Sequence, residues 1–184
     1  MSDGGKNRLT RHARKAKKQF LRGYRALLLE VNSIALNILV WGPAPASDTP
    51  EAKKRQALAH ALIKEGHNAM FSEELPSSGL ATHHEEYLQA KSADAIVVLY
   101  VSFGAVGEVH DFASVPEISR KMLIWAPRIA RSGYGGQGLL KGLAEVGPAQ
   151  VRFFSDKDLR DCTLVKDTVK HMHQRRWDKW REEH

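Results

Sequence analysis

The sequence predicts an α/β protein built on a five-stranded parallel sheet with flanking helices. Three observations predict it. Short apolar runs alternate with helical patterns through the middle of the chain, as parallel strands and their crossover helices do. The third run, Ala-Asp-Ala-Ile-Val-Val-Leu-Tyr-Val, is apolar on both faces, which places it at the centre of a sheet covered on both sides. The stretches between runs open and close on helix-capping residues. The expected architecture is flavodoxin-like or Rossmann-like, strand order 2-1-3-4-5, with extra N- and C-terminal helices.

The five strands are read as 34–41, 67–71, 93–102, 122–126 and 151–154. The helix after the first starts at Asp48-Thr49-Pro50-Glu51, with Asp48 as cap, Pro50 in the first turn and Glu51 closing a capping box. It ends at Gly66. Leu58 with Leu62 and Ala59 with Ile63 form its inner face. The next helix uses Leu80, His84, Tyr87 and Leu88, and the one after strand three uses Val109, Phe112 and Ala113 before Pro116. Asp94 reads as structural.

Three segments follow: residues 1–33 as a basic amphipathic helix, 34–155 as the α/β domain and 156–184 as a C-terminal helix packing on the first or on a partner. The formal charge of +7 is concentrated. Residues 1–25 hold nine Lys or Arg against Asp3, a net +8, so the remainder carries −1. Leu9, Ala13, Ala16, Phe20, Tyr24, Leu27 and Val31 make one apolar stripe along this arm. Leu159, Cys162, Val165, Val169 and Met172 make a second near the C-terminal end, before Trp177 and Trp180. A protein partner or a homo-oligomer through the terminal helices is expected. Nucleic acid, an anionic surface or a transit-peptide role are alternative readings of the arm.

No apolar run approaches the roughly 18 residues that suggest a membrane span. The single cysteine, Cys162, forms no internal disulfide and no secretory signal opens the chain, so a reducing, cytoplasmic setting is expected. His83 and His84 point to different sides of a helix and no further ligand completes a set, so no metal is assigned.

Ligands of open parallel sheets bind beyond the carboxyl ends of the strands where the order reverses, here between strands one and three. The loops there begin at Gly42 and Pro43 and at Ser102, Phe103 and Gly104. Glu108, placed on the first turn of the following helix, is the candidate catalytic group. A carboxylate at that position also has a purely electrostatic explanation, worth about 0.3–1 kcal/mol with the helix dipole. Its chemical use would be to attack or stabilise an oxocarbenium-like sugar carbon. Asp111, one turn on, shares the cleft; His110 turns away. Glu85 and Glu86 lie on the helix before strand three, a solvated face or a second acid. Arg128, with Arg131 and the loop 132–138, follows strand four and is a candidate phosphate contact.

The runs Asn37-Ile-Leu-Val-Trp-Gly42-Pro43, Lys54-Arg-Gln-Ala-Leu-Ala-His-Ala-Leu-Ile-Lys-Glu-Gly66-His67, Ala93-Asp94-Ala-Ile-Val-Val-Leu and Gly104-Ala-Val-Gly-Glu108-Val-His-Asp-Phe-Ala113 resemble the nucleoside 2-deoxyribosyltransferase-like superfamily over residues 35–126. The resemblance implies that 34–155 is such a domain, that Glu108 stands at the nucleophile position and that an acid near Glu85 and Glu86 handles the base. Transferases of the superfamily usually carry an acid after the third strand and a Thr after the glycine, where this chain has Ser102 and Ala105. Its pattern Ser-x-Gly-Ala-x-x-Glu-Val-x-x-Phe is more similar to the bacterial effector branch and the related TIR domains. That implies an N-glycoside hydrolase of NAD or a related nucleotide or nucleoside, frequently in antiphage defence, with NAD or nucleotide as substrate and no cofactor. The alternatives are a nucleoside 2-deoxyribosyltransferase and a non-catalytic nucleotide-sensing or interaction module.

Overall fold

The computed structural model describes residues 10–76, 79–132, 136–145, 147 and 149–184. The chain falls into two compact units, Met1–Ile34 and Ala35–His184. The first contains helix α1 (Arg11–Ser33), whose N-cap Thr10 accepts a hydrogen bond from the Ala13 amide at 3.3 Å.

In the second unit the chain runs through β1 (Asn37–Trp41), α2 (Pro50–Lys64), β2 (Asn68–Met70), α3 (Thr82–Ser92), β3 (Ala95–Leu99), α4 (Phe103–Phe112) and α5 (Pro116–Ser119). It continues through β4 (Met122–Pro127), α6 (Lys141–Glu145), β5 (Gln150–Phe154), α7 (Asp156–Arg160) and α8 (Thr163–Glu183). The five strands are parallel and ordered β2-β1-β3-β4-β5. This is the expected α/β architecture of flavodoxin-like class. Every residue of β3 is buried, as its two-faced apolar run required. The strands are shorter than their apolar runs at several ends, because Ala93 and Asp94 leave α3 and residues 100–102 already turn toward α4.

Several local expectations are corrected. The cap of α2 is Thr49, which accepts from Ala52 N at 3.2 Å. A cap must directly precede the first helical residue. Asp48 pairs instead with Lys53 at 2.6 Å. Leu58, Ala59 and Leu62 are buried in α2, but Ile63 is exposed, and Arg55 occupies the core-facing place one turn before Ala59. Leu80 precedes α3, and it, His84 and Leu88 are exposed; Tyr87 and Ala90 form the inner side. Tyr87 also donates to Glu117 at 2.8 Å.

The C-terminal stripe is broken in two, because Asp161 accepts from the Thr163 amide at 2.7 Å and turns the chain between α7 and α8. Cys162 is therefore exposed. The buried face of α8 is Leu164, Thr168, His171, Met172 and Arg176, one residue out of phase with Val165 and Val169. The helix is seated on its own domain: Thr168 accepts from Trp125 Nε1 at 2.9 Å, Arg176 donates to the Glu65 carbonyl at 2.8 Å, and Lys179 holds Asp94 at 2.9 Å. Asp94 in turn accepts from the Asn37 amide at 2.8 Å, so its role is structural as expected.

Two buried histidines make this packing sensitive to acid. His67 accepts from the Leu36 amide at 3.2 Å. Burial, aided by the Arg176 charge, lowers it from 6.5 to about 4. Burial and Arg152 lower His171 to about 4 as well. Both must be neutral in the folded state, so their contribution is present above pH 6.5 and is lost as pH falls through about 4. Urea-unfolding midpoints are expected to drop progressively over that window, and a flat profile would contradict the two buried neutral rings.

Candidate active site

Gly42 leaves β1 and Ser102 leaves β3 on neighbouring strands, at the reversal point of the sheet. They are held close. A Cβ on Gly42 would lie 3.2 Å from Leu99 Cβ and 3.2 Å from Arg55 Cδ, so the glycine is what lets the loop lie over the arginine.

Arg55 is the organising side chain, and it is 1% exposed. Its Nε and Nη2 donate to the Val40 carbonyl at 2.9 and 2.7 Å, and Nη1 donates to the Gly42 and Pro43 carbonyls at 3.3 and 2.8 Å. Both Nη atoms also donate to the Glu73 carboxylate, each at 2.7 Å. Its guanidinium lies over the Phe71 ring at 4.6 Å. One cation thus ties the end of β1 to the turn Ser72–Glu74 that follows β2. Burial pushes the Glu73 carboxyl up, but the Arg55 hydrogen bonds outweigh it and hold it below the usual range.

Glu108 is half-buried on α4. The sequence placed it on the first turn of a helix that starts at the glutamate; the helix instead starts at Phe103, capped by the Ser102 hydroxyl accepting from Ala105 N at 3.3 Å. Glu108 therefore stands in the second turn, beyond the reach of most of the helix dipole. Its charge state follows a different cause. Burial raises it from 4.5 to about 7, the Glu86 carboxylate and Glu73 push in the same direction, and Arg55 pulls against them. A dipole-stabilised carboxylate would shift down. The raised value makes Glu108 a group that both holds and releases a proton near neutrality.

Glu86 joins it from α3, also half-buried, and is itself raised by burial and by Asp111 against the opposing His83. Asp111 lies 3.5 Å from His83 Nδ1, and the His83 ring stacks on Phe112 at 5.4 Å between centroids. Glu108, Glu86, Asp111, Glu73 and Arg55 consequently form one electrostatic group over the β1 and β3 ends. Glu85 is the half-buried neighbour of Glu86.

The remaining expected residues sit around this group in different ways. The Pro43 carbonyl faces Arg55, and the Ser102 hydroxyl is engaged as a cap. Phe103 is 99% exposed, and Cβ atoms on Gly104 and Gly107 would meet nothing within 4 Å. Arg128 is exposed and acts on Asp158 beside β5, while Arg131 lies over the Phe153 ring at 4.4 Å. Residues 133–135 of the expected phosphate loop lie outside the described residues. Among the described residues no cluster of three metal-ligating side chains occurs. Among the described residues no helix is long and apolar enough to cross a membrane. Sequence reasoning missed Arg55 and Glu73 altogether. The available signal was a charged residue in register with Leu58, Ala59 and Leu62 on the inner face of α2.

The chain matches no protein-family model and no curated protein.

Because Glu73 is half in water, losing Arg55 chiefly strands the buried Val40 carbonyl and the part-buried Gly42 and Pro43 carbonyls. Arg55→Met is expected to cost about 2–3 kcal/mol by chemical denaturation. Unchanged stability would contradict the latch. Glu108 contributes to stability in the opposite sense to the histidines: its folded pKa is raised, so its share is present below pH 4.5 and lost as pH rises through about 7. Glu108→Gln is therefore expected to steepen the rise of stability with pH.

Proposed function

We propose that the chain is an N-glycoside hydrolase that cleaves the bond between ribose and base in NAD or a related nucleotide or nucleoside, with Glu108 engaging the sugar. The observation that carries this reading is the Glu108 carboxyl, raised to about 7 by burial beside Glu86 at the reversal point of the sheet. The resemblance of residues 35–126 to nucleoside 2-deoxyribosyltransferase-like proteins, and of the Ser102-to-Phe112 pattern to their effector branch, supports the same assignment.

The electrostatics suit this chemistry. Breaking an N-glycosidic bond builds positive charge on C1′ and its ring oxygen, and a group of carboxylates favours that charge. A nicotinamide riboside linkage is already cationic, so nicotinamide departs neutral with the bond's electron pair and needs no proton. A neutral nucleoside needs one on its base, and Glu108, raised to about 7 beside the Glu86 charge, is itself the carboxyl that would hold that proton, so an ionised Glu108 suits the cationic linkage better. Ionised Glu108 then attacks C1′ or faces the cation. Water then adds its oxygen to C1′, the C1′–Glu108 bond breaking with its electron pair returning to the carboxylate where an ester has formed; one water proton passes to a carboxylate, and the sugar hydroxyl is complete. Gly104 and Gly107 each weaken a helix by about 1 kcal/mol relative to Ala. With open space at both, the backbone is left bare for a ligand to approach.

Incubation with NAD and with nucleosides in the absence of any acceptor base is expected to release nicotinamide or free base. Glu108→Ala is expected to lower the rate by about 10²–10⁴-fold. If ionised Glu108 is the reacting form, kcat/KM rises with pH and levels off above about 7. Turnover only with an added base would make the chain a transferase. Wild type and Glu108→Ala behaving alike on every substrate would defeat the enzymatic reading.

A further inference from the structure

Helix α1 separates its chemistry around its circumference. At about 100° per residue, Ala16, Phe20, Leu21, Tyr24, Leu27 and Leu28 fall in one arc of about 140°. Six of the seven Lys and Arg residues gather on the opposite side, with Arg14 and Arg25 directly bordering the Leu21 and Leu28 edge; Lys17 falls within the apolar arc, and Leu29 stands among the cations. Seven Lys or Arg stand against one acid, Glu30, a net +6 over 23 residues. The apolar arc is exposed: Phe20 is 69% accessible, and Leu21, Tyr24, Leu27 and Leu28 lie between 38% and 51%.

We propose that α1 is a surface anchor that lies in the plane of an anionic lipid bilayer, its Phe20 to Leu28 face in the acyl boundary and its cations at headgroup level. Two properties have to be satisfied together, the apolar arc and the charge. Nucleic acid would neutralise the cations and leave the arc in water. A second α1 would cover a narrow seam, of the width that one helix presents to another, and would gather both +6 charges in one pair. An anionic bilayer covers a broad arc and supplies the countercharge in the same contact. Long Lys and Arg stems reach from the helix flank to the phosphates while their methylenes stay in the apolar layer. The proposal is independent of the chemistry assigned to Glu108.

The test is flotation of the purified full chain with vesicles of phosphatidylcholine alone and of phosphatidylcholine with about one-third phosphatidylglycerol. Binding is expected on the mixed vesicles, at least about tenfold weaker on pure phosphatidylcholine, and weakened by added salt. Phe20→Ala/Leu27→Ala/Leu28→Ala keeps every cation and, because alanine favours helix, keeps α1. It is expected to lose at least about tenfold in binding. The second unit's unfolding transition, followed in parallel, is expected to be unchanged. The inference is overturned by no binding to mixed vesicles or by binding that the triple substitution leaves intact. It is equally overturned if that substitution abolishes a solution dimer or destabilises the second unit, or if a DNA or RNA duplex binds more tightly than the mixed vesicles.

Discussion

The Arg55 guanidinium, buried beneath the first loop of the sheet, is the constraint on which the candidate site depends. It takes the Val40, Gly42 and Pro43 carbonyls at the end of β1, grips Glu73 beyond β2 and covers the Phe71 ring. A buried charge is tolerated only when its donors are used and a countercharge is near. Here the donors are spent on the backbone at the end of β1 and on Glu73. Gly42 completes the arrangement, since any side chain there presses on the arginine stem and on β3.

That arrangement also bears on the electrostatics of the neighbouring carboxyls. Glu73 is neutralised by Arg55 and stays ionised, whereas Glu108 and Glu86 are left to share a half-buried space. Two carboxyls in such a space favour holding a proton between them, and their environments give them unequal shares of it. Two carboxyls of the same residue type then differ in their hold on a proton through placement alone. The aromatic packing of Trp41, Phe112 and Tyr87 beneath α4 and α3 keeps the two helices that carry these carboxyls in register.

The sheet was legible in the sequence because its signal is local and strong. A run such as Ala95–Leu99, apolar at every position, suits a strand covered on both faces; alternation with helices gave parallel strands, and 2-1-3-4-5 is a common order for five of them. Glu108 was legible as a position but not as a charge state. Its second-turn place depends on Ser102 acting as cap, and its raised pKa depends on burial in the folded domain and on Glu86, which arrives from another helix. Glu86 read as either a solvated acid or a second acid of the site, because nothing within α3 itself decides between the two. Arg55 was hidden by the habit of treating arginine as surface, although its phase matched Leu58, Ala59 and Leu62. The one-residue shift of α8 came from the break at Asp161, a side-chain hydrogen bond that periodicity does not register.

The most direct measurement is the titration of the Glu108 side-chain carboxyl itself, followed by carbon NMR in protein labelled at glutamate and assigned by comparison with Glu108→Gln. The midpoint is expected at about 7, and Glu86→Gln is expected to lower it by removing the neighbouring charge. A midpoint near the ordinary 4.5, indifferent to Glu86, would contradict the coupled pair on which the account rests.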